Sequence, residues 1–205
     1  MKHNDYDAIF CDLGNVLVNF DHRIAVKKIL THTPKREEDI YSLFFDSPLT
    51  GLYEEGKLSS KEFFSRVKDS LKLKMDSSQF FPIWNDIFFD VPVNIKMHEF
   101  LKNMRPGYKL VMVSNLNQTH FEYLKKKMPI FNIFHKLVLS YEVGFRKPAA
   151  QIYQYALESV QTIPSKAFYI DDRPDLIKAS SNMGINGIIF DGEPAFKKII
   201  QEFTP

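Results

Sequence analysis

Short apolar runs separated by helical patterns make up the first and last parts of the sequence. Four runs predict buried strands, at Ala8–Cys11, 109–113, 167–170 and 187–190. A weaker fifth candidate is Lys136–Leu139. Because these strands alternate with helical spacing, the pattern predicts an α/β fold with a doubly wound parallel sheet.

Proline marks the start of three predicted helices in this part of the chain. Its fixed φ suits the first helical turn, where its missing N–H is not needed. Two further helices are predicted over 93–104 and 118–127. The three helix-opening prolines are Pro148, Pro174 and Pro194.

Residues 22–92 interrupt the alternation with successive helical patterns. Ser59 and Glu62 form a capping-box pattern before one of them. Many of the 19 Phe lie in this region and, with Trp84, predict an aromatic core, although some of them could line a cleft. We therefore expect an α/β core of residues 1–21 and 93–205 and a helical insertion of residues 22–92. The four patterns are R-I-A-V-K-K-I-L, R-E-E-D-I-Y-S-L-F-F, K-E-F-F-S-R-V-K-D-S-L and F-F-P-I-W-N-D-I-F-F.

Composition limits the classes of partner. The 205 residues include 27 Lys+Arg and 25 Asp+Glu, a balance that argues against nucleic-acid binding. The single cysteine, Cys11, excludes an intramolecular disulfide and favours a reducing compartment. No signal-peptide pattern or membrane-length apolar stretch is present, so we expect a cytoplasmic protein that binds no membrane. Its oligomeric state is left open.

Polar residues follow the predicted strands at the edge where parallel sheets bind ligands. They include three carboxylates, a hydroxyl, an amide and two cations. Such complementary groups rarely meet at one edge by chance. These residues are Asp12, Ser114, Asn115, Arg146, Lys147, Asp171 and Asp172.

Together these residue types suit phosphoryl transfer. Asp12 and Asp172 offer the hard oxygen ligands that Mg²⁺ prefers. Lys147 and the cation would neutralise a phosphate dianion, and Ser114 would donate to its oxygens. Asp12 could then attack phosphorus and form an aspartyl-phosphate. Taken alone, an aspartate in this place would more simply be a turn residue.

Four motifs in order along the chain resemble those of the haloacid dehalogenase (HAD) superfamily. The helical insertion stands where that superfamily carries its C1 cap. The motifs are D-L-G-N-V at 12–16, V-S-N at 113–115, R-K-P at 146–148 and D-D-R-P-D at 171–175. Further stretches are similar to bacterial alpha-D-glucose-1-phosphate phosphatases: Y-E-E-G-K-L-S at 53–59, S-N-L-N at 114–117, G-F-R-K-P-A-A-Q-I-Y at 144–153 and Y-I-D-D at 169–172.

The resemblance implies catalytic and metal-binding roles for matching positions. Asp12 would be both nucleophile and metal ligand, and Lys147 would bridge nucleophile and phosphate. The backbone carbonyl of Gly14 and the carboxylate of Asp172 would complete the protein ligands to Mg²⁺. Asp171 would stand in the outer shell of the metal.

Phosphate or substrate binding is implied for a second group of residues. Ser114 and Asn115 match the phosphate-binding motif, and Asn117 follows it closely enough to face the site. Arg146 could bind substrate or pair with Glu142. These two readings of Arg146 stay open at this point.

Two positions depart from the superfamily pattern. Gly14 stands where most of its phosphatases carry a second Asp that acts as general acid and base. Three other residues could supply the proton. In addition, an anomeric leaving group has a low pKa, so its departure would depend less on protonation. Leu176 stands where Asp or Asn is usual, and the adjacent Asp175 could compensate. The three candidate proton donors are Asp21, His22 and His120, the last of which otherwise reads as a surface helix residue.

We therefore expect a hydrolase, a Mg²⁺-dependent phosphatase for a small phosphorylated metabolite such as a hexose 1-phosphate. Tyr53 and Glu54 fall where a cap loop could overhang the site and influence specificity. Two alternatives stay open. One is a metal-independent dehalogenase, whose members also lack the second Asp. The other is a degenerate protein that binds a phosphorylated ligand or a partner protein, which Gly14 and Leu176 favour.

Overall fold

The computed structural model describes residues 5–45 and 47–204. Within this part of the chain, no helix combines the length and the apolar character needed to cross a membrane. The strands are β1 Ala8–Cys11, β2 Asn19–Phe20, β3 Phe88–Phe89, β4 Lys109–Ser114, β5 Lys136–Leu139, β6 Ala167–Asp171 and β7 Asn186–Ile189. The α-helices are α1 Arg23–Leu30, α2 Glu37–Phe45, α3 Pro48–Glu54, α4 Ser60–Leu71, α5 Ser77–Asn85, α6 Pro92–Met104, α7 Gln118–Lys127, α8 Ser140–Val143, α9 Ala150–Ser159, α10 Pro174–Ser181 and α11 Glu193–Phe203.

Five parallel strands form one sheet in the order β5-β4-β1-β6-β7. Strand β1 lies at its centre, with β4 on one side and β6 on the other. The chain therefore changes direction across the sheet at β1, which is where open α/β sheets bind ligands. The predicted doubly wound parallel sheet is confirmed, including its weakest strand, Lys136–Leu139.

Both faces of the sheet are covered by helices, which explains why β1 has no polar residue. Ile9 and Cys11 pack on one face with α6, α7 and α11. Ala8 and Phe10 pack on the other face, chiefly with α9. All four side chains are fully buried. A central parallel strand requires such a continuous apolar run, so Asp12 is the first position at which a polar residue is tolerated.

Helices α1–α5 share a separate aromatic core, which we call the helical unit. Trp84 packs edge-on against Phe44 with ring centroids 4.8 Å apart. Tyr53 stacks on Phe63 at 4.3 Å. The four rings are almost completely buried, so these aromatic residues fill a core, as their clustering predicts.

Local sequence explains where the helices of this unit begin. The capping box of Ser59 and Glu62 is present at the start of α4. A second one, formed by Asp76 and Gln79, begins α5 and was not predicted. Helix α3 was also not predicted, since it is short; the Ser47 side chain caps it by accepting from the backbone N–H of Leu49.

Two predicted helix boundaries need correction, and the fourth predicted strand is not buried, because β7 lies at the edge of the sheet and its Ile189 is 41% exposed. Helix α5 ends at Asn85, so the pattern F-F-P-I-W-N-D-I-F-F is not one helix. Phe88 and Phe89 instead form β3, which pairs antiparallel with Asn19 and Phe20 of β2. Two-residue strands are too short to show an alternating pattern. Helix α9 begins at Ala150, two residues after the proline expected to open it.

The buried amide of Asn94 ties the first turn of α6 to the loop after β1. Its Nδ2 donates to the carbonyl oxygen of Val16 at 2.9 Å. Its Oδ1 accepts from the backbone N–H of Val91, also at 2.9 Å. The side chain is completely buried, so water cannot replace these bonds at Asn94 itself.

We predict that Asn94→Ala lowers the free energy of unfolding by about 1–3 kcal/mol, because two backbone groups lose their partners. Urea denaturation followed by circular dichroism measures this. Asn103→Ala on the exposed side of the same helix is the control, with an expected change below about 0.5 kcal/mol. Equal losses in the two variants would contradict a specific role of Asn94.

Candidate active site

Register in the sheet brings three carboxylates together. Cys11 pairs with Ile170, so Asp12 lies beside Asp171, and the backbone N–H of Asp12 donates to the carbonyl of Ile170 at 2.9 Å. One oxygen from each of Asp12, Asp171 and Asp172 lies within 4.8 Å of the other two. The acidic residues predicted from the first and fourth motifs therefore meet at the end of β1.

Lys147 places its ammonium group among these carboxylates. Its side chain is 1% exposed, and Nζ lies 2.9 Å from Oδ1 of Asp12 and 2.7 Å from Oδ2 of Asp171. Nζ also donates to the Tyr169 hydroxyl at 2.9 Å, and that hydroxyl donates to Asp171. A buried charge requires such partners, so Lys147 and the carboxylates stabilise one another.

The pKa values show that this compensation is incomplete at Asp12. Burial raises the pKa of Asp12 to about 7, although Lys147 acts in the opposite direction. Burial alone would lower the pKa of Lys147, but Asp12 and Asp171 more than offset it and the pKa is raised. Lys147 therefore stays an ammonium. A further positive charge beside Asp12 would lower its pKa and keep its carboxylate ionised.

The backbone of Lys147 is held by the side chain of Asn115. Oδ1 of Asn115 accepts from the Lys147 N–H at 2.7 Å, and Nδ2 donates to the Lys147 carbonyl at 3.0 Å. Asn115 and Ser114 also line the cleft above the carboxylates. Tyr169 contacts both Lys147 and Asp171 and was not among the predicted site residues. The sequence does contain a signal that could have identified Tyr169. Residues two apart in a strand share one face of the sheet, so Tyr169 points the same way as Asp171.

The residues present fit a magnesium ion. Oδ1 of Asp12 is buried and has no hydrogen-bond partner among the described residues, although Lys147 lies in ionic contact with it. Asp172 is oriented by Asn15, whose Nδ2 donates to Oδ2 at 2.8 Å. Asp171 already accepts from Lys147, Tyr169 and a backbone N–H. Asp12 and Asp172 are therefore the better placed of the oxygen ligands that Mg²⁺ prefers.

Asp175 does not compensate for Leu176. The Asp175 carboxylate lies on the surface, where Nη2 of Arg173 contacts Oδ2 at 2.6 Å. Leu176 is 1% exposed and contributes to the wall of the cleft. The outer shell of the acidic cluster is consequently apolar at this position.

Gly14 lies against the ring of Phe20. A Cβ atom built on Gly14 would stand 2.7 Å from Cε1 of Phe20, closer than real Cβ contacts. A side chain at this position therefore requires the ring to move. Phe20 belongs to β2, which the sequence pattern did not predict, so this crowding could not be foreseen.

His120 and Asn117 are engaged with each other and with the helical unit. Asn117 Oδ1 accepts from the backbone N–H of His120 at 3.0 Å and caps α7, while Nδ2 lies 3.0 Å from Nδ1 of His120. Nε2 of His120 lies 3.1 Å from the carbonyl of Trp84. Both side chains are buried, which corrects the expectation of a surface His120. Asn117 does not line the cleft that contains Asp12 and Asp172, and its binding of phosphate stays a prediction.

None of the three candidate proton donors is suited to give up a proton. Burial lowers the pKa of His120 to about 3 and the pKa of His22 to about 4, so both rings are neutral at physiological pH. Asp21 accepts from the backbone N–H of Arg23 at 2.9 Å at an exposed helix start. The group that replaces the second Asp must therefore be sought elsewhere.

Arg146 reaches across to the helical unit. Its Nε lies 2.8 Å from Oε2 of Glu54 in α3. Gly51 makes room for the contact, since a Cβ there would stand 2.7 Å from Nη1 of Arg146. Glu142 instead accepts from the Tyr141 hydroxyl, so the alternative of an Arg146–Glu142 pair is wrong.

Two neighbouring cavities with shared lining residues lie above the acidic cluster. The charged cleft has a volume of about 230 Å³ and is lined by Asp12, Lys147 and Asp172, with Arg146 and Arg173 at its wall. The inner pocket is smaller, about 80 Å³, and is lined by both apolar and polar residues. Its residues beyond those shared with the cleft are Leu13, His22, Phe88, Leu116 and His120. Such a pair of cavities suits a ligand with one anionic end and one less polar end.

The amino-acid sequence is similar to a known protein family and to a characterised enzyme. Residues 20–190 match the family model described as haloacid dehalogenase-like hydrolase. The D-ribitol-5-phosphate phosphatase of Bacteroides thetaiotaomicron is 24% identical over 182 residues, which cover 86% of this chain and 87% of that protein.

Solved structures show the same fold. A HAD family enzyme from Bacteroides thetaiotaomicron in complex with magnesium has a TM-score of 0.85 and 22% identity, covering 97% of this chain and 100% of that one. Its wild-type complex with magnesium and inorganic phosphate gives a TM-score of 0.80 and 24% identity, covering 92% and 96%.

We predict that Mg²⁺ raises the melting temperature of the protein by a few degrees, because the ion binds only the folded state. Asp172→Asn should lose most of this shift, since it removes one anionic ligand. Differential scanning fluorimetry with and without MgCl₂ measures both. Asp175→Asn is the matched control and keeps the shift. A full shift in the Asp172 variant would exclude this carboxylate as a ligand.

We also predict that Gly14→Asp lowers the free energy of unfolding by about 1–3 kcal/mol, through overpacking against Phe20. The same substitution should cost less in a Phe20→Ala background, where the ring is absent. A double-mutant cycle by urea denaturation measures the difference. An identical cost in both backgrounds would show that Phe20 is not the obstacle.

Proposed function

The chain belongs to the haloacid dehalogenase-like hydrolases, and on this basis we propose that it is a Mg²⁺-dependent phosphatase with Asp12 as its nucleophile. The observation that carries the proposal is the meeting of Asp12, Asp172 and buried Lys147 at the end of β1. Two carboxylates for a metal and one ammonium for a phosphate are the charges that phosphoryl transfer needs. The complexes of a HAD family enzyme with magnesium and phosphate support it by fold.

The first step uses groups that are already in place. A carboxylate oxygen of Asp12 forms a bond to phosphorus while the bond to the leaving oxygen breaks, giving an aspartyl-phosphate. Lys147, held by Asp171 and Tyr169, neutralises the phosphoryl oxygens, and Ser114 donates to them. Bound Mg²⁺ would supply further neutralisation of both reacting anions. Attack by water then releases inorganic phosphate and restores Asp12.

We propose a small phosphorylated metabolite as the substrate, and a sugar phosphate such as a hexose 1-phosphate in particular. The inner pocket, which adjoins the charged cleft and has a volume of about 80 Å³, has room only for a small organic group. The motifs similar to alpha-D-glucose-1-phosphate phosphatases support this branch. The relative named for D-ribitol-5-phosphate points to the wider class of phosphorylated polyols and sugars.

We propose that residues 22–92 act as the cap of the superfamily, with residues 1–21 and 93–205 as the catalytic core. The side chain of Glu54 from α3 lines the cleft, which supports a role of the helical unit in covering the substrate. Closure of such a unit excludes bulk water from the reaction.

The single cysteine supports a cytoplasmic location.

A metal-independent dehalogenase is less well supported. Three carboxylates share the cleft with one ammonium, so without a cation their mutual repulsion serves no purpose. A degenerate binding protein would not need the buried Lys147 beside its nucleophile. The assay of Mg²⁺-dependent phosphate release described next distinguishes both alternatives from the phosphatase.

We predict that the wild-type protein releases phosphate from a panel of hexose 1-phosphates and pentitol 5-phosphates in the presence of Mg²⁺. Asp12→Asn should reduce the rate by about a thousand-fold or more, because it removes the nucleophile. EDTA should abolish turnover. Phosphate release is measured colorimetrically, with circular dichroism to show that the variant is folded. Turnover by the Asp12 variant, or turnover in EDTA, would overturn this function.

A further inference from the structure

We propose that Glu54 of the helical unit is the proton donor and acceptor of the reaction, in place of the superfamily's second Asp. This role rests on the proposed function, since it concerns proton transfer to the leaving group of a phosphate ester. Glu54 belongs to α3 and thus reaches the core from a different part of the chain than the motif it replaces.

The position of Glu54 matches that of the bond to be broken. Five residues line both the charged cleft and the inner pocket, so they surround the junction of the two cavities. If the phosphate occupies the cleft and the organic group the pocket, the leaving oxygen lies at this junction. Glu54 is the one carboxyl group among the five. They are Gly14, Phe20, Glu54, Ser114 and Asn115.

The carboxyl group of Glu54 has hydrogen-bonding capacity to offer. Oε2 is buried and lacks a hydrogen-bond partner within the described residues, although Nε of Arg146 stands only 2.8 Å away. The N–H of Arg146 is therefore not directed at this oxygen, and the oxygen can hold or accept a proton. A ligand hydroxyl entering the junction would find an acceptor or donor that the protein itself does not satisfy.

The backbone of Glu54 is fixed to the core. Its carbonyl accepts from Oγ of Ser140 at 2.6 Å, and Ser140 directly follows β5 at the ligand-binding end of the sheet. Two residues later the chain passes so close to Tyr141 that a Cβ on Gly56 would overlap the Tyr141 carbonyl. Gly56 also has a φ of 67°, which favours glycine. These contacts hold the side chain of Glu54 at the junction.

The surroundings of Glu54 also favour a proton that can be exchanged. Burial raises its pKa above the usual range for glutamate. Arg146, Arg173 and Lys147 act in the opposite direction, and Glu55 adds to the increase. The net direction is upward, so Glu54 holds its proton at higher pH than an exposed glutamate does.

Other groups that line the junction or the inner pocket are excluded by their own surroundings. Gly14 offers no side chain and no space for one beside Phe20. His22 and His120 are neutral because they are buried. Ser114 has a hydroxyl whose pKa is unsuited to acid–base exchange.

The proton transfers balance over the two steps. When Asp12 attacks phosphorus and the bond to the leaving oxygen breaks, the proton of Glu54 moves to that oxygen and the alcohol departs. Water then attacks the aspartyl-phosphate and gives its proton to the Glu54 carboxylate, as the bond between phosphorus and Asp12 breaks. Inorganic phosphate leaves, and both side chains return to their initial states.

Glu54→Gln tests this role, because glutamine keeps the size and polarity of the side chain but exchanges no proton. With an alkyl phosphate and Mg²⁺, kcat should fall by roughly 10²–10⁴-fold. With p-nitrophenyl phosphate, whose leaving group departs without a proton, the variant should give a burst of one nitrophenolate per enzyme followed by slow turnover. Glu38→Gln, at an exposed residue in the first turn of α2, is the control and keeps wild-type kinetics.

The outcomes separate this inference from the function on which it rests. Wild-type kcat of Glu54→Gln on the alkyl phosphate would overturn the role of Glu54, while the wild-type enzyme remains an Asp12-dependent phosphatase. Equal losses on both substrates without a burst would also overturn it, since they indicate a structural role. Absence of Mg²⁺-dependent phosphate release by the wild-type protein would instead overturn the proposed function, and the role of Glu54 with it.

Discussion

The burial of one ammonium group between two carboxylates is the constraint on which the site depends. Lys147 is held in an apolar sheet edge, where Asp12, Asp171 and the Tyr169 hydroxyl compensate its charge. Removal of a partner from such a buried pair is much more costly than loss of a surface ion pair. The sheet order, the register of β1 with β6 and the bracket that Asn115 forms around the Lys147 backbone all serve to keep these charges together.

Much of this arrangement was predictable because it follows from local rules. A central parallel strand must be apolar and its first polar residue must stand at the ligand-binding edge, which identified Asp12. The same rule identified Asp171 and Asp172. Tyr169 could have been predicted in the same way, because its spacing from Asp171 in β6 places both on one face of the sheet. The Glu54–Arg146 pair could not, because it depends on the docking of two units that no local pattern encodes.

Glycine stands at position 14, where most phosphatases of the superfamily carry an aspartate, and this difference affects packing as well as chemistry. Phe20 stands against Gly14 and forms part of both cavities. The same ring that excludes a side chain there thus gives the inner pocket part of its apolar surface. Loss of one polar group and gain of an apolar wall are therefore coupled in this chain. In the mechanism that we propose, the helical unit supplies the acid–base group instead.

The pairing of β2 with β3 has a consequence for how this architecture can vary. Asn19 and Phe20 enter the helical unit beside Phe88 and Phe89, which leave it, so the two points of attachment are neighbouring strands about 5 Å apart. A short turn would be enough to join them directly and leave the five-stranded sheet continuous. The chain thus enters and leaves the helical unit at one place, and the unit also contacts the core through Glu54 and Trp84. A recombined chain could acquire another module and keep its catalytic charges, provided that the new module again delivers a carboxyl group to Arg146.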